Sequence, residues 1–182
     1  MQIMQYLHDW FDKHVNRQHF LFSMTDMRAL FPGHSAGAYK GIIHRAVRKG
    51  YLIRICHSLY TFKDKVPRDG LTLFHIARHL RSQEFNYLSL ETVLSEAGVI
   101  SQIPLSRIFV MSSGRSSIVD CGKYGSIEFV HTVRTPLDVM DQIFYDKQYK
   151  MWRAMVPLAL QDMKRTKRNM DLIDWDEVDE YL

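Results

Sequence analysis

The chain has 182 residues, 46% of them hydrophobic and 24% charged, and a formal net charge of +4. That balance excludes a disordered or low-complexity chain. The longest apolar runs, such as Ile103 to Met111, are broken by polar residues and fall far short of a bilayer span, so no membrane partner is expected. Two cysteines, Cys56 and Cys121, are too few for a disulfide framework or a zinc site and read as reduced thiols. Met1 leads straight into an amphipathic stretch without a charged n-region and an apolar h-region, so a cytoplasmic location is expected. The charge is uneven. Residues 1–70 carry 11 Lys and Arg against 5 Asp and Glu, a balance of +6, whereas residues 71–182 carry 13 against 15, a balance of −2. A basic segment beside a near-neutral one points to a polyanion-binding module joined to a second domain.

In chain order, Ile3, Tyr6, Leu7, Trp10 and Phe11 recur with a helical period. Ser23 opens a short helix carrying Met27, Leu30 and Phe31, which Pro32-Gly33 stops. Ser35 is placed to cap a third helix from Ala36 to about Lys49, closed by Gly50. Leu52–Ile55 and Leu59–Phe62 are β-prone, and the three residues between them predict a tight hairpin. Three helices and a hairpin give the order of a winged helix-turn-helix. Lys63 to Gly70, with Pro67 and Asp69-Gly70, reads as a hinge.

The second region opens with a helix bearing Leu71, Phe74, Ala77 and Leu80, and another helix runs from Ser89 to Gly98. Ile103–Ser112, Ser117–Cys121 and Ser126–Val133 are strand-like, with turns at Ser113-Gly114-Arg115 and Lys123-Tyr124-Gly125, so an antiparallel meander is expected. Thr135-Pro136 starts a helix, and helices are expected to fill the remainder. Near its end the chain turns from basic (Lys164, Arg165, Lys167, Arg168) to acidic (Asp171 to Glu180), with capping-box spacing at Asp174 and Glu177.

The third helix carries the functional signal. Tyr39, Ile42, Ile43, Ala46 and Val47 fall on one apolar arc. The opposite face holds Gly37, Lys40, Gly41, His44, Arg45 and Arg48, with no acid. Small residues let a backbone enter the major groove, and Lys and Arg reach bases or phosphates. Ser35, Lys40, His44, Arg45 and Arg48 are therefore the expected DNA contacts. Arg54 and His57 of the hairpin suit flanking phosphates or the minor groove.

Ile43 to Phe62 resembles the winged-helix end of AbiEi-type antitoxins, which carry a basic helix, a Gly-Tyr/Leu-Leu step and a G-x-Y wing strand. Here Ser58 stands where the family has glycine. The resemblance continues through Tyr87–Leu94, Glu96–Gly98, Met111–Arg115 and Gly125–Thr132. It ends on Ala154–Asp162, similar to the family's A-x-P-x-x-A-L-x-D helix start. The order of these motifs is the stronger signal, since each alone is weak. The resemblance implies the antitoxin half of a type IV toxin–antitoxin pair, repressing its own promoter and opposing a nucleotidyltransferase-like toxin.

Other chemistry finds little support in the sequence. Asp120 and Glu128 echo a nuclease metal site, but the lysine that completes such a site is missing. His131, Ser116, Ser117 and Asp120 are triad residue types without a nucleophile elbow. Ser112–Ser117 could form a phosphate nest around Arg115, though a hairpin turn needs the same residues. Trp10, Trp152 and Trp175 are expected to pack rather than to stack on bases. No P-loop, dinucleotide fingerprint or metal-ligand cluster is present, so no catalytic residue, metal or cofactor is assigned.

The sequence therefore predicts an α+β protein. A winged helix-turn-helix covers residues 1–65, and a mixed domain with an antiparallel meander and C-terminal helices covers 70–182. The expected partner is double-stranded promoter DNA, bound by a homodimer, with functional pairing to the toxin. Arg115, Arg134, Lys164, Arg165, Lys167 and Arg168 form the expected antitoxin surface. A protein–protein module using the winged helix as scaffold is the alternative, and an enzyme acting on nucleic acid a distant third.

Overall fold

The computed structural model describes residues 3–62, 65–101 and 106–181. The chain forms two compact units, divided at Thr72/Leu73. It is an α+β protein with helices beside one antiparallel and one mixed sheet. The predicted hinge residues 63–64 and strand residues 103–105 lie outside the described residues.

The first unit runs α1 (Ile3–His14), β1 (Leu21–Ser23), α2 (Met24–Arg28), α3 (Ala36–Arg48), β2 (Leu52–Cys56) and β3 (Leu59–Phe62). The three strands form an antiparallel sheet in the order β1-β3-β2. Its apolar core joins Leu7 and Phe11 of α1 to Ile42, Ile43 and Ala46 of α3, closed by Leu52 and Phe62. Phe11 lies between Phe62, stacked at 5.4 Å, and Phe22, edge-on at 4.9 Å. The helix ends follow the local signals. Ser23 caps α2 in a capping box with Asp26, and Ser35 accepts the Ala38 N–H at 3.2 Å to start α3. Gly50, with φ +73°, ends α3 as Tyr51 N–H returns to the Ala46 carbonyl at 2.9 Å.

The second unit contains α4 (Thr72–Leu80), β4 (Asn86–Leu88), α5 (Leu90–Glu96), β5 (Arg107–Ser112), β6 (Ser117–Asp120) and β7 (Ser126–His131). Then follow α6 (Pro136–Val139), β8 (Ile143–Asp146), β9 (Met151–Ala154), α7 (Val156–Arg165) and α8 (Trp175–Val178). One six-stranded sheet has the order β6-β7-β5-β4-β9-β8.

That order corrects the expected meander. β5 pairs in parallel with β7, and β6 lies outside them as an antiparallel edge strand. Burial explains the arrangement. Ile108 to Ser112 are buried without interruption, which suits a strand covered on both faces, whereas β6 alternates between half-buried and exposed. The expectation of helices alone after residue 135 is also corrected, because β8 and β9 form a hairpin there. Aromatic Phe144, Tyr145 and Trp152 favour strand, and Asp146 Oδ1 accepts the Gln148 N–H at 2.8 Å in a side-chain-capped turn.

A buried polar cluster ties α7 to β4. Asp162, fully buried, accepts hydrogen bonds from Ser89 Oγ at 2.8 Å and Tyr87 Oη at 3.1 Å, and pairs with Arg134. Burial lifts the Asp162 carboxyl above its ordinary value although all three partners favour its charged form. Among the described residues, no helix is long and apolar enough to cross a membrane.

Candidate nucleic-acid interface

α3 sorts its residues cleanly. Tyr39, Ile42, Ile43 and Ala46 are buried, while Lys40, His44, Arg45 and Arg48 are exposed on the opposite side. The helix contains no acid, so nothing on it neutralises this face. Ser35 stands at its start, with its hydroxyl engaged as the cap. Gly37 and Gly41 add a second observation. A Cβ built on either meets no atom within 4 Å beyond its chain neighbours and the backbone of its own helix. Each glycine costs about 1 kcal/mol against alanine inside a helix, and no contact within the described fold requires it. Small residues on an open cationic face admit the close approach of an external surface.

The turn before α3 is braced by Arg28, which sequence reading missed. Its guanidinium donates to the carbonyls of Phe31 and His34 and lies 5.1 Å over the Tyr39 ring. Tyr39 Oη in turn donates to the Met24 carbonyl at 2.6 Å, and burial raises its pKa to about 12. The connection from α2 to α3 is thus fixed by side chains of both helices. A cation shortly before the Pro32-Gly33 stop was the available signal.

Arg54 and His57 are exposed at the β2–β3 hairpin. Arg54 Nε donates to the Cys56 carbonyl at 3.2 Å, where the ladder is bulged. Ser58, at the position where the resembled family has glycine, has φ +60°. The turn therefore keeps a left-handed residue without the glycine that usually supplies it.

The six cations expected to form one surface in the second unit separate into two groups. Arg115, Lys164, Arg165 and Lys167 are exposed. Arg134 is committed to Asp162, and Arg168 lies between Glu91 at 2.7 Å and Glu128, over the Phe109 ring at 4.7 Å. Those two hold the interior together and do not contribute to an open cationic face.

The Ser112–Ser117 loop is built around an internal anion. Glu84 Oε2 accepts from Arg81 at 2.7 Å and Ser112 Oγ at 3.0 Å, and the Gly114 N–H also faces the carboxylate. Burial would raise this carboxyl, but the Arg81 and Ser112 hydrogen bonds lead the contributions that outweigh it and hold the group below its ordinary range. Gly114 permits this close approach, since a Cβ there would displace the ends of the Glu84 and Arg81 side chains. A side chain of the protein thus occupies the nest that the sequence offered to a phosphate.

No catalytic constellation assembles from the triad and nuclease residue types. His131 Nδ1 contacts the Gly114 carbonyl at 2.9 Å, and Asp120 accepts the Gly122 N–H at 2.8 Å. Glu128 faces Arg107 and Arg168. Among the described residues no group of three or more His, Cys, Asp or Glu is placed to hold a metal ion. Trp152 and Trp175 are 45% and 49% exposed, against the expectation that they pack.

No family model matches the sequence, and no curated protein matches it significantly. Among solved structures the chain is similar to the crystal structure of the RV2827C protein from Mycobacterium tuberculosis, at 12% identity and a TM-score of 0.49. The match covers 74% of this chain and 46% of that one, so the chain spans less than half the length of that protein.

Proposed function

We propose that the first unit is a winged helix that binds duplex DNA through α3, and that the protein is a cytoplasmic transcriptional autoregulator. The observation that carries this reading is the acid-free face of Lys40, His44, Arg45 and Arg48, set beside two glycines that the fold does not require. Lys and Arg on such a face reach phosphates and guanine edges in the major groove. Helix–strand–helix–helix–hairpin order, with β2 and β3 as the wing, supports the same reading. Two copies on an inverted repeat would supply the affinity that one small module lacks.

The AbiEi-type antitoxin role, opposing a nucleotidyltransferase-like toxin, rests on the order of the motifs along the chain. Two of them meet in space. Tyr87 and Ser89 belong to one stretch, Asp162 ends another, and they share hydrogen bonds.

The test is a gel shift on the DNA upstream of the protein's own gene. Lys40→Ala/Arg45→Ala/Arg48→Ala should bind at least about tenfold more weakly, with a salt dependence shallower by about one unit of slope for each phosphate no longer neutralised. Unchanged affinity in the folded triple variant would overturn the reading.

A further inference from the structure

We infer that the second unit carries a separate site for single-stranded nucleic acid, in the cleft between the β8–β9 hairpin and the end of α4. Tyr145 and Trp152 are cross-strand partners on this hairpin, with ring centroids 5.7 Å apart at 78°. They are 50% and 45% exposed, although rings of this size ordinarily contribute to a core. Both line a cavity of about 360 Å³, whose other walls include Arg78, Arg81, Asn86 and Lys150. Two buried atoms of that wall, Arg78 Nε and Asn86 Oδ1, have no hydrogen-bond partner. They leave one donor and one acceptor unsatisfied within the wall, behind its accessible surface.

The cleft continues. Arg81 and Glu84 also line a second hollow of about 720 Å³, bounded by Ser113, Arg115 and His131. Along both hollows three cations, Arg78, Arg115 and Lys150, line the walls beside one ion pair, Arg81 with Glu84. That acid is already neutralised by Arg81 and turned into the Gly114 nest. Exposed aromatic faces followed by a line of cations match an unpaired base followed by its sugar-phosphate backbone. A duplex buries its base faces in the stack and offers nothing to Tyr145 or Trp152. An acidic protein surface would answer the cations but offers no regular series of flat faces to stack on Tyr145 and Trp152.

The site belongs to the second unit and α3 to the first, and it does not depend on the duplex-binding reading. The experiment is fluorescence anisotropy of a labelled 12-nucleotide oligo-U RNA with the full chain, at fixed low salt. Trp152→Ala should weaken binding by about 5- to 150-fold, the range that one base–aromatic stack is worth. Arg78→Ala/Lys150→Ala should weaken it and flatten its salt dependence. Lys40→Ala/Arg45→Ala/Arg48→Ala should bind the RNA as the parent does, so failure of either reading is distinguishable from failure of the other. Equal affinity in folded Trp152→Ala and Arg78→Ala/Lys150→Ala overturns the site. Loss of RNA binding in the α3 variant overturns it as well. Full competition by free uridine monophosphate at the concentration of the oligomer's nucleotides would make a free nucleotide the ligand and overturn the strand assignment. A change of oligomeric state in Trp152→Ala, with RNA binding retained, would make the face a contact between copies and overturn it too.

Discussion

Ser89 Oγ donates a 2.8 Å hydrogen bond to Asp162 Oδ2, joining the residue before α5 to the middle of α7 inside the second unit. Asp162 has no solvent exposure, and Arg134 supplies its countercharge. Removing Arg134 leaves the buried Asp162 without its countercharge, and removing Asp162 leaves the half-buried Arg134 unpaired. Asp162→Ala and Arg134→Ala should each cost about 3–5 kcal/mol. The double variant should cost clearly less than the two together, because the stranded charge is then gone. Urea unfolding of the four proteins measures this, and simple additivity would show that the two charges do not act as a pair.

The β2–β3 turn offers a gain rather than a loss. Ser58 adopts φ +60°, a conformation that costs a residue with a Cβ about 1–2 kcal/mol and glycine almost nothing. Ser58→Gly gives up the 3.0 Å contact with His57 Nδ1 and adds freedom to the unfolded chain. The net expectation is a stabilisation of about 0.5–1 kcal/mol. Ser58→Val, β-branched at the same φ, should destabilise by at least about 1 kcal/mol. Thermal unfolding should therefore rank glycine above serine above valine.

Much of the first unit was legible because its signals are local. Ser23, Ser35 and Gly50 mark helix ends through bonds to residues close by in the chain. The period of Tyr39, Ile42, Ile43 and Ala46 separates the core from the cationic face. The second unit hid its order because strand pairing is non-local. Short polar turns flank β6, as they would flank the middle strand of a meander. Only the uninterrupted burial of Ile108–Ser112 against the half-exposed alternation of Ser117–Asp120 reveals which strand is central. The role of Arg168 was equally invisible, since its partners Glu91 and Glu128 lie 77 and 40 positions away.

Glu84 should set part of the acid limit of the second unit. Its carboxyl titrates below the ordinary value of 4.5, because the Arg81 and Ser112 hydrogen bonds outweigh the opposing effect of burial. A depressed folded-state value means that the contribution is present above the unfolded value and is lost as pH falls through the lower folded one. Glu84→Gln should therefore unfold with a flatter pH dependence below about pH 4.5, while its profile near neutrality keeps its shape. Gly114→Ala puts a Cβ where the ends of this carboxylate and the Arg81 guanidinium lie, so both must shift, and the hydrogen bond disturbed should cost about 0.5–1.5 kcal/mol. Fluorescence-detected unfolding from about pH 3 to about pH 7, a range that spans the carboxylate titration, checks both variants. A parental acid limb in Glu84→Gln would assign it to other carboxylates.

Under the proposed antitoxin role, repression and toxin neutralisation should separate along the boundary between the units. The α3 cations lie on the open face of the first unit, and their replacement takes nothing from its apolar core. In the second unit, only the open members of the expected basic surface are suitable targets. Arg134 and Arg168 are tied to Asp162 and to Glu91 and Glu128, so their loss would report on folding. Arg115→Ala/Lys164→Ala/Arg165→Ala/Lys167→Ala leaves those pairs intact. Expressed from an unrelated promoter beside a cognate nucleotidyltransferase-like toxin, Lys40→Ala/Arg45→Ala/Arg48→Ala should rescue growth fully while failing to repress its own promoter. The variant of the second unit should repress as the parent does and should reduce rescue by at least about an order of magnitude in surviving colonies. Matching protein levels by immunoblot removes abundance as an explanation. If the α3 variant fails to rescue at parental abundance, DNA binding and neutralisation are one activity. If the variant of the second unit rescues fully, the antitoxin function does not reside on its open cations.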